Sequence, residues 1–328
     1  MNADLSSSSS IPSTGVNPEQ DISRKGNFLM DEGFVYITLG FAVIAAGLIF
    51  WMAAIITEKA WPAIQTFGIP FIWSTDWSVP AEKFGALPYI FGTLVTSGIA
   101  LLLAVPIGIS VALITSENFL PQWVRTPLGF IVELIAAIPS VIIGLWGIFV
   151  FIPVFLPVQQ FLHQTLGWFP LFSSEPPGPG ILVAGLILTV MILPTISSIS
   201  RDVLRSVPVT LRSASMALGA TRWETIFRVM LPAAASGIVG ASILGLGRAL
   251  GETMAVAMVI GNTKRITPSL LDSASTIPAV LANEFAESHE GLHLQSLMLL
   301  GVILFILTLV VNIAAVWIIQ ALSLKGRE

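Results

Sequence analysis

Arg248 and Glu252 stand four residues apart inside the apolar stretch 234–261, and no other formal charge accompanies them there. A charge at the centre of a bilayer costs about 2.5–3.5 kcal/mol on insertion scales, so an ionisable residue in such a stretch reads first as functional. A guanidinium stays ionised and presents a planar fork of N–H groups that grips oxyanions. On a helix Glu252 would lie one turn from Arg248 on the same face, close enough to pair with it. Two readings follow: an anion-binding arginine in a polar path, or a self-neutralising pair in a helix seam. Gly237, Gly240, Gly245, Gly247 and Gly251 stud the same stretch. The Gly247–Gly251 spacing predicts a close helix contact beside the pair. Glu133, in the apolar stretch 126–156, is expected to reach water or a polar neighbour.

Other chemistry is sparse. His289-Glu290-Gly291-Leu292-His293 spells the H-E-x-x-H pattern of zinc proteases. Zinc needs both histidines aligned on a stable helix and a third ligand. Gly291 interrupts the helix and no acidic residue follows before Glu328. An intramembrane protease would also need a buried Asp, and Asp272 falls in a loop. His163 is isolated. No metal site and no catalytic residue is expected. With no Cys, thiolate chemistry is absent. No G-x-x-x-x-G-K-[ST] occurs, so energy must come from a partner or an ion gradient.

The elements that position these residues follow from composition. Of 328 residues 55% are hydrophobic and 10% charged, with net charge −4. Soluble domains are about 25% charged, so a water-soluble globule and a nucleic-acid binder are both excluded. A span needs about 20 apolar residues. Six are predicted, at roughly 33–57, 86–114, 126–156, 178–200, 234–261 and 293–322. The fold class is an all-α membrane protein of six transmembrane helices. Pro139-Ser140 and Pro194-Thr195 are expected to bend the third and fourth spans. Residues 1–30, with Ser6 to Ser10 in a row, read as a flexible tail preceding a membrane domain at 31–328. The first span reads as retained rather than as a cleaved leader.

Orientation follows from Lys and Arg near span ends. With the N-terminus inside, ten basic residues fall on the cytoplasmic side, and only Lys59, Lys83, Lys264 and Arg265 on the other. Both termini are therefore expected in the cytoplasm. Trp61, Trp73, Trp77 and Trp168 suit interfacial anchoring in the outer loops. The inner loop 201–233 holds Arg201, Arg205, Arg212, Arg222 and Arg228. After Pro208, residues 209–217 and 221–230 are helix-compatible, divided by Gly219. Such a pair could insert into a groove on a partner or lie on the inner leaflet.

This loop resembles that of the bacterial ABC-importer permeases, whose pattern is EAA, three residues, Gly, nine residues, Ile, one residue, Leu-Pro. Ser213-Ala214-Ser215 takes the EAA place, Gly219 the glycine, Val229 the isoleucine, and Leu231-Pro232 the ending. Ser replaces the Glu and the second Ala. The string from Gly245 to Asn262, with Arg248, Gly251 and Glu252 inside it, is similar to the fifth-span signature of the phosphate-specific PstC-type permease family. Residues 137–147 and 219–226 fit the same family.

The resemblance covers about residues 33–325. It implies an ABC importer type I permease fold in the bacterial inner membrane, forming half of a phosphate path that works by alternating access. It also implies four kinds of partner: a second, PstA-type permease, two PstB-type ATP-binding subunits, a PstS-type external binding protein, and phosphate itself. ATP hydrolysis would belong to the partners, so this chain would be no enzyme and would need no cofactor. Arg248 and Glu252 would line the substrate pathway. Arg212, Ala214, Gly219, Ala220, Thr221, Glu224, Leu231 and Pro232 would form the coupling loop that docks on the ATPase. Another oxyanion, such as sulfate or molybdate, would suit Arg248 equally well. A role in relaying phosphate status is addressed by no motif.

Overall fold

Each of the six apolar runs is helical in the computed structural model, which describes residues 18–117, 119–288 and 291–325, with side chains between 33 and 317. Among them, β structure is limited to the isolated bridges Ser78–Lys83 and Gly261–Ala274. The chain divides into two units, residues 1–55 and 56–328. Helix α1 is Pro18–Phe67, so helical backbone begins inside the segment read as a flexible tail. Residues 1–17 lie outside the described residues.

The second unit holds the remaining spans. Helix α2 is Leu87–Ser116, and α3, Gln122–Ala137, is separate from α4, Ser140–Leu166. Then come α5, Ile181–Ser206, the short α6, Val209–Ala217, and α7, Arg222–Gly251. The chain ends through α8, Met254–Val259, α9, Ile277–Glu284, and α10, Leu292–Lys325.

Three spans differ from the sequence expectation by ten residues or more, the first because its helix runs on to Phe67 rather than ending near 57. The third span is Ser140–Leu166, not 126–156. Pro139 disfavours helical backbone at the residue before it, and Ile138 is accordingly extended (φ −71°, ψ 126°). The chain therefore breaks rather than bends, and Glu133 falls on α3, outside the long apolar helix. The fifth span starts at Arg222 and stops at Gly251, not 234–261. Thr221 and Glu224 form a reciprocal capping box that starts α7 twelve residues early, absorbing the second half of the expected loop.

The core lies around α5, the most buried span. Ile187, Leu188, Met191, Ile192 and Ile196 of α5 meet Ala100 and Ala104 of α2 and Ala255, Val256 and Val259 of α8. On α2 the residues Gly92, Thr96, Ala100, Ala104, Gly108 and Ala112 recur every fourth position, and all are buried. This small-residue seam lets two backbones approach closely. A Cβ at Gly108 would come within 2.9 Å of Ile196, and one at Gly185 within 2.7 Å of Ile99.

Both π-helical turns, Gly147–Phe151 in α4 and Ile226–Met230 in α7, end immediately before an apolar-Pro pair. Pro153 and Pro232 have no N–H for the ladder, and the wider turn ahead of each absorbs the missing bond without breaking the helix.

Candidate functional site

Arg248 occupies the last turn of α7, three residues before the helix ends at Gly251. Carbonyl groups there carry partial negative charge, which complements the guanidinium. Its side chain is exposed, and Nη1 donates one long hydrogen bond, 3.4 Å, to Thr195 Oγ1 on α5. Thr195 follows Pro194, which interrupts the α5 hydrogen-bond ladder at this level.

The expected Arg248–Glu252 pair is not formed. Glu252 leaves the helix with extended backbone (φ −68°, ψ 124°), so it no longer shares the phase of α7. Its Oε1 accepts a hydrogen bond from the Ala255 amide at 3.4 Å, at the start of α8. Among the described residues, no carboxylate lies within ion-pair distance of Arg248. The guanidinium thus stands beside a helix break with a single hydroxyl partner, an arrangement that leaves most of its N–H fork for an anion.

The close contact expected at Gly247 and Gly251 is not made within this chain. Gly247 and Gly251 face open space, with nothing within 4 Å of an added Cβ. The close approach is made instead by Gly237 against Val203 and Gly245 against Ile196, both on α5. Ala234, Ile238, Ala241, Gly245 and Ala249 form the buried stripe of α7. That phase turns Gly247 and Gly251 away from it.

At the other end of α7, the helix α6 has no buried residue, and its apolar anchors lie at its flanks. Val207 before it and Ile226 and Met230 after it are buried with Ala112, Leu204, Ala234 and Ile238. Arg212 ties α6 to the rest: Nη1 lies 2.6 Å from Glu117 Oε1, and Nη2 donates to the Leu204 carbonyl at 2.9 Å. Phe119 stacks on Trp223 with centroids 5.1 Å apart. Neither Glu117 nor Phe119 is singled out by sequence, because their partners lie about a hundred residues away.

Gly219 turns the chain between α6 and α7 with φ +86°, in the left-handed region that favours glycine. Ala220 then leads into Thr221, whose amide donates to Glu224 Oε2 at 2.9 Å. Ala214 is exposed on α6, while Leu231 and Pro232 lie within α7, just past its π turn. Val209, Leu211, Met216, Leu218 and Trp223 leave an apolar surface open here, with Leu218 89% exposed.

Of the motifs set aside, His289 and Glu290 lie outside the described residues. His293 does not point to a metal: its Nε2 lies 3.0 Å from Glu284 Oε2. Glu284 also takes Trp77 Nε1–H at 2.9 Å and Lys264 Nζ at 2.9 Å. Burial acts to raise the Glu284 pKa; the hydrogen bonds from Lys264, Trp77 and His293, with the Lys264 charge, outweigh it, and the carboxyl ends below its ordinary value. Trp77 is consequently 7% exposed, packed edge-on against Phe84 and Tyr89, and is no interfacial anchor. Trp61, Trp73 and Trp168 are exposed.

Residues 104–325, two thirds of the chain, match the family described as binding-protein-dependent transport system inner membrane component. The chain belongs to this family of importer permeases, within its PstC group. It is 40% identical over 316 residues to the phosphate transport system permease protein PstC of Pasteurella multocida, covering 94% of this chain and 98% of the relative. It is 45% identical over 268 residues to PstC of Xylella fastidiosa strain Temecula1, covering 80% and 82%.

Solved structures agree on the fold. A permease chain of a bacterial ABC transporter that imports the acidic polysaccharide alginate superposes with TM-score 0.58 at 19% identity, over 91% of this chain and 99% of that one. A chain of the inward-facing MetNI methionine transporter gives 0.52 at 21%, over 75% and 99%. This permease is therefore a multi-pass inner-membrane component with an ABC-importer permease fold. It is a transport subunit rather than an enzyme, and it works with the other parts of an ABC transporter.

Proposed function

We propose that this permease forms half of an inner-membrane phosphate path, with Arg248 as the group that meets the anion. The supporting observation is the guanidinium's situation: exposed at a helix break, one hydroxyl beside it, and no carboxylate partner. The phosphate assignment draws on the names of the PstC relatives. Both termini face the cytoplasm in this reading, which rests on the Lys/Arg asymmetry between loops. The partners are a PstA-type second permease, two PstB-type ATP-binding subunits and a PstS-type external binding protein.

Phosphate released by the binding protein meets Arg248 through charge-assisted hydrogen bonds from its N–H groups. The long contact to Thr195 is readily exchanged, so holding the anion requires no strong pair to be broken. Retention must stay weak, since a site that binds tightly cannot release its ion. Glu252 fixes the start of α8 and thereby sets the gap after Arg248; neutralising the arginine is not its part. ATP-driven motion enters through α6, whose exposed apolar face suits a groove on the ATPase. Because α7 runs unbroken from Arg222 to Gly251, displacement at its loop end reaches Arg248 through one helix.

Arg248→Gln should reduce phosphate uptake by the assembled transporter roughly a hundredfold, from loss of charge-assisted hydrogen bonds worth about 1.5–3 kcal/mol. Uptake at the normal rate in proteoliposomes would refute the assignment. Gly219→Pro tests coupling separately: proline cannot adopt φ +86° and removes the amide that donates to the Met216 carbonyl. Stimulation of the ATPase by binding protein should be lost in that variant.

A further inference from the structure

Glu117 follows α2 directly, and its side chain meets the helix that the proposed function assigns to the motor. The Glu117 amide donates to the Leu113 carbonyl at 3.0 Å, so its backbone is still fastened to the last turn of α2. Arg212 Nη1 on α6 lies 2.6 Å from Glu117 Oε1, with the two side chains 21% and 18% exposed. An ion pair in full solvent contributes little, and one shielded to this degree is screened less. The contact is close but skewed: Oε1 receives no aligned N–H, and Arg212 Nε is buried without an acceptor. A fork set on both carboxylate oxygens would be the stronger geometry.

The same guanidinium reaches a second helix. Arg212 Nη2 donates to the Leu204 carbonyl at 2.9 Å. Leu204 is in the last turn of α5, whose final carbonyls have no intrahelical amide to accept from. Arg212 therefore joins α6 to the ends of both α2 and α5. Those two helices share a close seam, with Gly108 against Ile196 and Gly185 against Ile99, so they shift as a unit.

On its other side α6 is bonded to α7. Ser215 Oγ and Thr225 Oγ1 are 3.0 Å apart, and Gly219 closes the turn between the two helices. A cavity of about 230 Å³ lies between α6 and the start of α7, lined by Met216, Arg222, Ile226 and Met230 as well as by the ion pair. Across that gap no side chains pack, which leaves the bonded contacts to carry a displacement.

The two attachments lead to the two helices that meet at Arg248. That arginine stands on α7 and its contact Thr195 on α5, with 3.4 Å between Nη1 and Oγ1. Widening this gap requires α5 to move relative to α7. A loop helix joined to α7 alone would displace one side of it; α6 is joined to both.

We propose that Glu117 is a positioning residue for coupling: through Arg212 it makes α2 and α5 follow α6 when the ATPase moves that helix. The inference rests on the reading of α6 as the ATPase contact. It gives Arg212 an inward role, as one end of a strut within this chain.

The test uses the complete transporter in proteoliposomes, with loaded binding protein outside and ATP inside, and reads phosphate uptake and ATP hydrolysis together. Glu117→Gln keeps the shape and removes the charge. Stimulation of hydrolysis by binding protein should persist, while phosphate taken up per ATP falls about tenfold, the scale of one charge-assisted hydrogen bond. Arg212→Gln should lower the same ratio. Adding Glu117→Gln to it should change nothing further, since two partners in one interaction are not additive. A normal ratio in Glu117→Gln overturns the strut. So does a double variant in which the two losses multiply, because Arg212 would then act independently of Glu117. Should Glu117→Gln fail to assemble, the ratio is read in Arg212→Lys, which keeps the charge and cannot span both acceptors; a normal value there overturns the strut. Gly219→Pro separates the underlying reading. Stimulation kept in that variant sinks the docking role of α6 and the strut with it. Stimulation lost there, beside a normal ratio in Glu117→Gln, sinks the strut alone.

Discussion

Glu284 and Arg248 are both charged groups in a protein with few charges, and their surroundings are opposites. Glu284 collects an indole, an ammonium and an imidazole, each within 3.0 Å, from three other segments of the chain. Arg248 has one hydroxyl at 3.4 Å. A saturated carboxylate ties the loop before α2, the loop after α8, helix α9 and the start of α10 into a clamp. Arg248 adds only its helix-end charge and one long hydrogen bond to the folded chain. The difference separates two readings of a charge in a membrane protein: a saturated group is bound into the structure, and a group with open donors is the one proposed to meet a ligand.

The contrast can be broken by exchanging readouts. The largest effect is expected from Arg248→Gln, which should cost roughly a hundredfold in uptake and leave thermal unfolding of the purified complex unchanged. A large drop in the unfolding temperature would make Arg248 structural after all. Glu284→Ala should behave in reverse, losing about 3 kcal/mol because three donors are left without their acceptor. Its uptake at a temperature where it stays folded should be near normal. Trp77→Phe keeps the ring packing and removes one N–H, so about 1 kcal/mol is expected in a denaturant titration.

The smallest effect is the pH dependence of the clamp. The Glu284 pKa is lower folded than its ordinary value of 4.5. Its contribution is therefore fully present above 4.5 and is lost as pH falls through the lower native value. Stability measured from neutral pH downward should decline in that acidic window, and Glu284→Gln should flatten the decline. An unchanged slope in Glu284→Gln would show that other carboxylates dominate.

The proposed site residues could be singled out in the sequence one by one. Arg248 stood out because a charge among apolar residues is costly, and the loop around Gly219 because its arginines cluster and its helices are amphipathic. Thr195, Glu117 and Phe119 were not legible, since each matters through a residue 53 to 104 positions away in sequence. The stripe from Gly92 to Ala112 on α2 was readable as a small residue every fourth position. The glycines around Arg248 drew notice instead, and within this chain Gly247 and Gly251 face open space.

Sequence alone determined the number of spans, the helical class and the end of the bundle where positive charge gathers. Bilayer thickness dictates the length of an apolar run, and backbone groups without water must bond within their own helix. Neither requirement depends on neighbours. Tertiary structure alone decided which face of α7 is buried and that Glu252 holds α8 instead of pairing with Arg248. Those outcomes depend on rotation about a helix axis and on breaks of two residues. Such choices are settled by packing against other helices, chiefly the close seam of α2, α5 and α7.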